Sequence, residues 1–177
     1  MTSGSALALS IRRLAPDDAQ AYRAIRLEAL AAFPDAFTSS VDEERPTADT
    51  WSRERLAAQE GRAMLGAFVG DALAGTAGLM RRARAKERHR ADFFGMYVAP
   101  AYAGRRIGRK LVDASIAEAL GWPGLEQIVL SVTYSNARAR RLYLDAGFVT
   151  FGIEHRAIKV GDAYYDKEHM VLFLERP

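Results

Sequence analysis

The sequence predicts a mixed α/β fold in which helices cover both faces of one sheet. Strand-like and helix-like stretches follow one another in the order β-α-α-β-β-β-α-β-α-β-β. The chain has 177 residues, 49% of them hydrophobic, which is enough for one domain with a substantial core. We therefore expect residues 1–177 to form a single domain, with residues 1–8 flexible.

The first third of the chain predicts one strand and two helices. The stretch LSIRRL alternates apolar and polar residues, as a strand does. Asp17 or Asp18 can cap a helix that runs to about residue 32. Its apolar positions recur at helical spacing and are expected to face the core: Ala21, Ile25, Leu27 and Leu30. PDAFTSSVDEERP predicts a loop, and TADTWSRERLAAQ a second helix that starts at Thr47.

The middle third predicts a hairpin, a basic connector and a buried strand. AMLGAFV and LAGTAGLM are apolar runs joined across GDA, which is a hairpin signal. The connector RRARAKERHR, residues 81–90, contains six Lys or Arg. We interpret it as a solvated hairpin tip, the alternative being a docking surface for an acidic partner such as RNA. The aromatic run DFFGMYV is then a buried strand.

The last part predicts a helix from about Arg105 to Leu120, a strand, a short helix and two closing strands. The first helix carries apolar residues at helical spacing: Ile107, Leu111, Val112, Ile116 and Ala119. QIVLSVTY is the strand, and NARARRLYLDA is the short helix, ended by Gly147. FVTFGIEHRAIKV and AYYDKEHMVLFL close the chain around a Gly161–Asp162 turn.

The composition removes several classes of function. The absence of cysteine excludes thiolate metal sites and cysteine nucleophiles. No apolar run approaches the roughly 20 residues of a membrane span, and MTSGSALALSIRRL lacks the basic start of a signal peptide. We expect a cytoplasmic protein without a metal, because its three histidines are scattered and zinc needs several converging ligands. The net charge of +3 is too mild to indicate a nucleic-acid binder, and no nucleic-acid-binding motif is present.

The most informative stretch is MYVAPAYAGRRIGRKLVDASIAEAL, residues 96–120, where a strand leads into a helix. Such a turn points free N–H groups and the positive end of the helix dipole at its ligand. Gly104 and Gly108 allow close approach to the backbone, and four cations stand beside them: Arg105, Arg106, Arg109 and Lys110. The pattern favours a phosphate or diphosphate. It matches neither a P-loop nor a Rossmann fingerprint.

This stretch resembles the acyl-CoA-binding motif of the GNAT superfamily of N-acetyltransferases, roughly V-x-P-x-x-[RQ]-G-x-G-[IVA]-[GA]-x-x-L. The matching positions are Val98, Pro100, Gly104, Ile107, Gly108 and Leu111. Ala103 stands where the family prefers Arg or Gln, and Arg106 where it prefers Gly. We expect Arg106 to take an ordinary helical φ, and Arg105 or Arg106 to make phosphate contacts in place of residue 103.

A second segment, SVTYSNARARRLYLDAGFVTFG, resembles the family signature N-x-x-A-x-x-[LF]-Y-x-x-x-G-F-x-x-x-G. The matching positions are Asn136, Ala139, Leu142, Tyr143, Gly147, Phe148 and Gly152. With the opening and closing stretches, the resemblance covers essentially the whole chain. It implies a mostly antiparallel, twisted sheet of about seven strands with a splayed cleft for CoA.

The resemblance also implies a function. Acetyl-CoA would be the donor and a primary amine of a small molecule or peptide the acceptor, joined in one ternary complex; no metal takes part. Tyr143 occupies the family's general-acid position. The CoA-binding set it implies is Met96, Tyr97, Val98, Ala103, Gly104, Arg105, Arg106, Gly108, Arg109, Asn136 and Tyr143. Tyr143 as a core aromatic and Asn136 as a simple helix cap are the structural alternatives.

The base and the acceptor stay open at this point. Asp92, Glu28 and His89 are candidate bases, and a water chain is the alternative. Glu28 and Phe37 are expected beside the acceptor, with loop 33–47 and the last two strands around it. Acidic residues in these segments suggest a negative mouth for a cationic amine, the alternative being ordinary solvated charges. A catalytically weak acyl-CoA-binding domain is the alternative function, and a homodimer is left open.

Overall fold

The computed structural model describes residues 8–47 and 49–175. Seven strands form one sheet in the order β1-β2-β3-β4-β5-β7-β6. Every neighbouring pair is antiparallel except β4 and β5, which run parallel. The strands are β1 Leu9–Arg13, β2 Arg62–Val69, β3 Ala72–Arg81, β4 Arg90–Val98, β5 Gln127–Thr133, β6 Val149–Val160 and β7 Ala163–Phe173. The predicted mixed, mostly antiparallel sheet is confirmed.

Helices cover both faces of this sheet. They are α1 Ala19–Ala32, α2 Val41–Glu44, α3 Asp49–Leu56, α4 Ile107–Leu120 and α5 Ala137–Asp145. The alternation along β2 shows the two layers, since Leu65 belongs to the core under α4, whereas Met64 and Phe68 belong to the core under α1 and α3. None of the helices in the described ranges is long and apolar enough to cross a membrane.

Three local expectations were wrong. On α1, Ala21 is exposed and Tyr22 takes the buried position instead. The segment predicted as one loop contains α2, because Ser40 and Glu43 form a reciprocal capping box. The second helix starts at Asp49, since the Thr47 hydroxyl donates to the Glu44 carbonyl at 2.6 Å and so still belongs to the preceding turn.

Strands β4 and β5 separate soon after they meet. They pair only from residues 90–92 to residues 127–129, although both strands continue further. Beyond that point β4 stays hydrogen-bonded to β3, while all of β5 stays hydrogen-bonded to β7. Gly95 adopts a φ of +62° where β4 bends away. The sheet therefore opens into a cleft at the carboxyl ends of the parallel pair β4 and β5, as the resemblance implied.

Residues 1–7 lie outside the described residues, so the expected flexibility of that segment stays a prediction.

Candidate active site

One wall of the cleft is the final stretch of β4, from Met96 to Val98. Tyr97 and Val98 pair with Thr76 and Gly75 of β3, and no strand of the described residues pairs with them on the β5 side. The backbone groups on that side can bind an extended ligand as an added strand does.

The N-terminus of α4 forms a concave group of N–H donors directly after this strand. The first helical bond runs from the Lys110 N–H to the Arg106 carbonyl at 3.1 Å, so the three preceding amides of the helix have no helical acceptor. Gly104 has a φ of +80° and Arg106 a φ of +57°, both in the left-handed region. Successive N–H groups in such a turn converge on an anion.

The expected helical φ of Arg106 was therefore wrong. Arg106 lies one residue before α4 and takes the left-handed conformation that suits the glycine of the family motif. This conformation costs a residue with a Cβ about 1–2 kcal/mol. The protein thus replaces the glycine of the motif by arginine but retains the backbone conformation of the turn.

The side chains of this turn are open to solvent. Ala103, Gly104, Arg105 and Arg106 are all exposed, and a Cβ built on Gly104 would meet no atom within 4 Å. Arg109 instead binds the Asp113 carboxylate at 2.8 Å and the Asp145 carbonyl at 2.9 Å, which ties α4 to α5. The turn thus fits a diphosphate through its backbone, with the exposed Arg105 and Arg106 as cations within it.

Gly108 serves packing as well as access. A Cβ at this position would lie 3.2 Å from the Met96 methyl and 3.4 Å from a Leu142 methyl. Its hydrogen lets α4 approach β4 and α5 closely.

Tyr143 lies where β4 and β5 part. Its ring packs at an angle against Phe93, the first β4 residue beyond the paired stretch, at 5.8 Å, and against Phe148 at 5.9 Å. Only 6% of Tyr143 is exposed, and burial alone raises the pKa of its phenol above the ordinary value. The hydroxyl therefore stays protonated throughout the physiological pH range.

Asn136 is the cap of the helix that carries Tyr143. Its side-chain oxygen accepts the Ala139 N–H at 3.0 Å, which fixes the start of α5 after β5. Asn136 is therefore a helix cap, and its contact with CoA stays a prediction.

On the α1 face of the sheet, Tyr97 and Glu28 form a hydrogen-bonded pair. The Tyr97 hydroxyl donates to the Glu28 carboxylate at 2.8 Å, and its ring lies 6.0 Å from that of Phe33. Burial and this carboxylate raise the pKa of Tyr97 to about 12. The resemblance assigned Tyr97 only to the CoA-binding set. The alternation along β4, which turns the Tyr97 side chain toward the amphipathic helix α1, was the signal for this second contact.

The loop after α1 lies against the cleft end of β5. The Thr133 hydroxyl donates to the Asp35 carbonyl at 2.6 Å. Phe37 packs in the cluster of Tyr97 and α1, with the Arg26 guanidinium 5.1 Å from its ring centre. Glu28 and Phe37 are thus brought together beside the cleft, on the face opposite Tyr143.

Asp92 and His89 are not brought to this place. Asp92 is the last β4 residue that pairs with β5, and its carboxylate accepts from Arg82 at 2.9 Å. It lies four residues, about 13 Å of strand, before Met96. The carbonyl of His89 binds the start of β5 at the same far end.

The basic connector is held by local ion pairs. Arg82 binds Glu87 and Asp92, both at 2.9 Å, and the Arg81 guanidinium donates to the Pro123 carbonyl at 2.5 Å. These contacts support the interpretation as a hairpin tip.

The expected acidic mouth is partly neutralised by local ion pairs. Four carboxylates of its segments are ion-paired to nearby side chains: Asp42 to Arg45, Glu44 to Arg26, Asp166 to His155 and Glu168 to Arg140. The described residues contain no group of three or more His, Cys, Asp or Glu that could hold a metal ion.

Comparisons with known proteins identify this arrangement. The model of the acetyltransferase (GNAT) family matches residues 23–148, well over half of the chain. An acetyltransferase of the GNAT family from Streptococcus pneumoniae superposes with a TM-score of 0.85 at 23% identity, covering 95% of this chain and 100% of that one. The yncA protein of Salmonella typhimurium, solved with its cofactor acetyl-CoA, gives 0.79 at 23% identity, covering 96% of each chain. A ribosomal-protein-alanine N-acetyltransferase from Brucella melitensis gives 0.77 at 22% identity, covering 93% of this chain and 99% of that one.

Proposed function

Because the chain belongs to the GNAT acetyltransferase family, we propose that it moves an acetyl group from acetyl-CoA to a primary amine of a small molecule or peptide. Both substrates bind together, and transfer is direct. The observation that carries the proposal is the cleft itself: a free strand edge leads into a turn of unpaired amides, and a buried tyrosine lies where the strands part.

The chain's own groups suit each part of the donor. The unpaired β4 edge at Met96–Val98 would bind the pantetheine amides, and the N–H groups at Gly104–Arg109 the diphosphate. Bound acetyl-CoA supplies a thioester with a good leaving group. The side chains of Arg105 and Arg106 add positive charge at the mouth.

Transfer requires a neutral amine, whereas an alkylamine has an ordinary pKa of about 10.4. Tyr97 and Glu28 form a hydrogen-bonded pair on the α1 face beside the cleft, whereas Asp92 binds Arg82 at the far end of β4, so we favour Glu28 over Asp92 as the base. The Tyr143 hydroxyl would donate to the departing sulfur from the opposite face. Burial raises the pKa of the Tyr143 phenol. We therefore expect the phenol to hydrogen-bond the sulfur first and to transfer its proton only as negative charge develops on the departing thiolate.

Two charge-removing variants separate the candidate bases. We expect Glu28→Gln to lower kcat/KM for the amine by about 10²-fold or more, and to shift the acidic limb of its pH profile, because the proton acceptor is lost. Asp92→Asn should change kcat/KM by less than about threefold, since Asp92 binds Arg82 at the end of β4 that lies away from Met96–Val98. The pH dependence of kcat/KM for both variants is the measurement, and the reverse order of effects would assign the base to Asp92.

A panel of amines tests the function as a whole. Release of CoA that requires both acetyl-CoA and an amine, with an acetylated amine identified by mass spectrometry, is the expected result. Tight binding of acetyl-CoA without turnover on any amine would favour the catalytically weak acyl-CoA-binding domain.

A further inference from the structure

A buried cation, Lys167 of β7, lies on the acceptor face of the sheet outside the groups described above. Only 7% of it is exposed, and no hydrogen bond or ion pair within 4.0 Å joins its ammonium to another described residue. Lysine is almost never buried without a partner, because the desolvated charge is costly. Burial accordingly lowers the pKa of Lys167. A cost of this kind is typical of a group that meets a ligand.

The sheet register places Lys167 next to the cleft. Lys167 pairs directly with Thr133, the last residue of β5, so the two side chains share one face. Thr133 reaches the Asp35 carbonyl in the loop after α1, which identifies that face as the one with Glu28 and Phe37. Neighbouring strands lie about 4.8 Å apart, so Lys167 is one strand away from the edge of the cleft.

The acidic groups around Lys167 do not form a hydrogen bond or a close ion pair with its ammonium. Glu154, its partner on β6, is held by His169 at 3.0 Å, and Asp35 lies across from it in the loop. Both act on Lys167 only through longer-range attraction, which raises its pKa against the effect of burial. The neighbouring acids of β7, Asp166 and Glu168, face the other side and are paired with His155 and Arg140. Direct contact with the ammonium is thus left to solvent or to a ligand.

We propose that Lys167 binds the carboxylate of the acceptor, so that the preferred substrate is a small amine that also carries a carboxylate. This rests on the proposed function and names its substrate class. The amine of such a molecule would lie toward Glu28 and its carboxylate toward β7. A desolvated ammonium forms a strong charge-assisted bond with a carboxylate and discriminates against an uncharged analogue.

The test compares amino acids with their carboxamides, which keep the amine and lose the negative charge. Rates are measured at neutral pH, because Lys167 has a lowered pKa and must keep its charge, and kcat/KM is expressed per neutral amine so that protonation of the two amines does not distort the comparison. We expect kcat/KM of the wild type to be at least tenfold higher for the acid. Lys167→Met should reduce this ratio to within about threefold of unity and leave acetyl-CoA affinity unchanged.

Lys159→Met is the matched control, because Lys159 is an exposed cation of the same hairpin, 5.3 Å from the Tyr164 ring. It should keep the preference for the acid. Lys167→Met should also unfold at the same or a higher temperature than the wild type, since it removes a buried charge that makes no hydrogen bond to another described residue. A retained unfolding temperature shows that a lost preference does not come from lost structure.

Equal kcat/KM for acid and amide in the wild type, or equal losses on both in Lys167→Met, would overturn the assignment. If no amine releases CoA, the proposed function fails, and calorimetric binding of the same acid and amide to wild type and Lys167→Met then decides the role of Lys167 without turnover. Tighter binding of the acid that disappears in Lys167→Met supports the assignment, and equal binding of both refutes it.

Discussion

Replacing Tyr143 by phenylalanine should lower the rate of acetyl transfer by about 10²–10⁴-fold while acetyl-CoA affinity holds. The change removes one hydroxyl and keeps the ring that packs against Phe93 and Phe148. Stability should change little, because burial is the only influence on the pKa of this phenol and neither charge nor hydrogen bond contributes. Single-turnover kinetics is the appropriate measurement, since slow product release can hide a slower chemical step.

Tyr22→Phe provides the control for loss of a buried phenol. Tyr22 is 2% exposed in the core beneath α1 and α3, away from the cleft. We expect this variant to retain its single-turnover rate. A full rate in Tyr143→Phe with chemistry rate-limiting would show that Tyr143 is a core aromatic only, which is the structural alternative that its burial also allows.

The elements that the sequence predicted well are those with a local signal. The apolar runs of β2 and β3 and the helical spacing of α4 depend on residues a few positions apart, and all three formed as expected. The motif turn was located correctly because glycine and proline mark a strand-to-helix transition at a defined spacing. The spacing did not predict the backbone conformation of Arg106. The turn requires a left-handed residue at this position, and the protein accepts the conformational cost of placing an arginine there.

The elements of the site that the sequence missed depend on long-range contacts. Glu28 and Tyr97 are 69 positions apart, and Thr133 and Asp35 are 98 apart. Lys167 reads as one more charge in a mixed strand, and only the register of β5, β7 and β6 shows that it is buried. The charge of the acidic segments depends on long-range contacts in the same way, because counting carboxylates ignores the arginines that pair with them in space.

Replacing Gly104 by valine should lower kcat/KM for acetyl-CoA by at least tenfold, which corresponds to about 1.4 kcal/mol of binding. Gly104 has a φ of +80°, a conformation that a β-branched residue avoids, so the turn must rearrange and its N–H groups no longer converge. S-acetyl-pantetheine, which ends before the diphosphate, should react with the variant and the wild type at nearly equal rates. The ratio of the two donors therefore reports the contacts of the diphosphate and the nucleotide, which S-acetyl-pantetheine lacks.

Gly161→Val is the matched control for this change. Gly161 also has a positive φ, +57°, and a Cβ there also meets no atom within 4 Å, but it lies in the turn between β6 and β7. It should show a similar small loss of stability and an unchanged donor ratio. Gly108→Val is expected to behave differently from both, because its side chain would press on Met96 and Leu142, lowering the unfolding temperature and the rates with both donors. If Gly104→Val keeps the full preference for acetyl-CoA over S-acetyl-pantetheine, the diphosphate does not bind at this turn, and the amides of α4 have only a structural role.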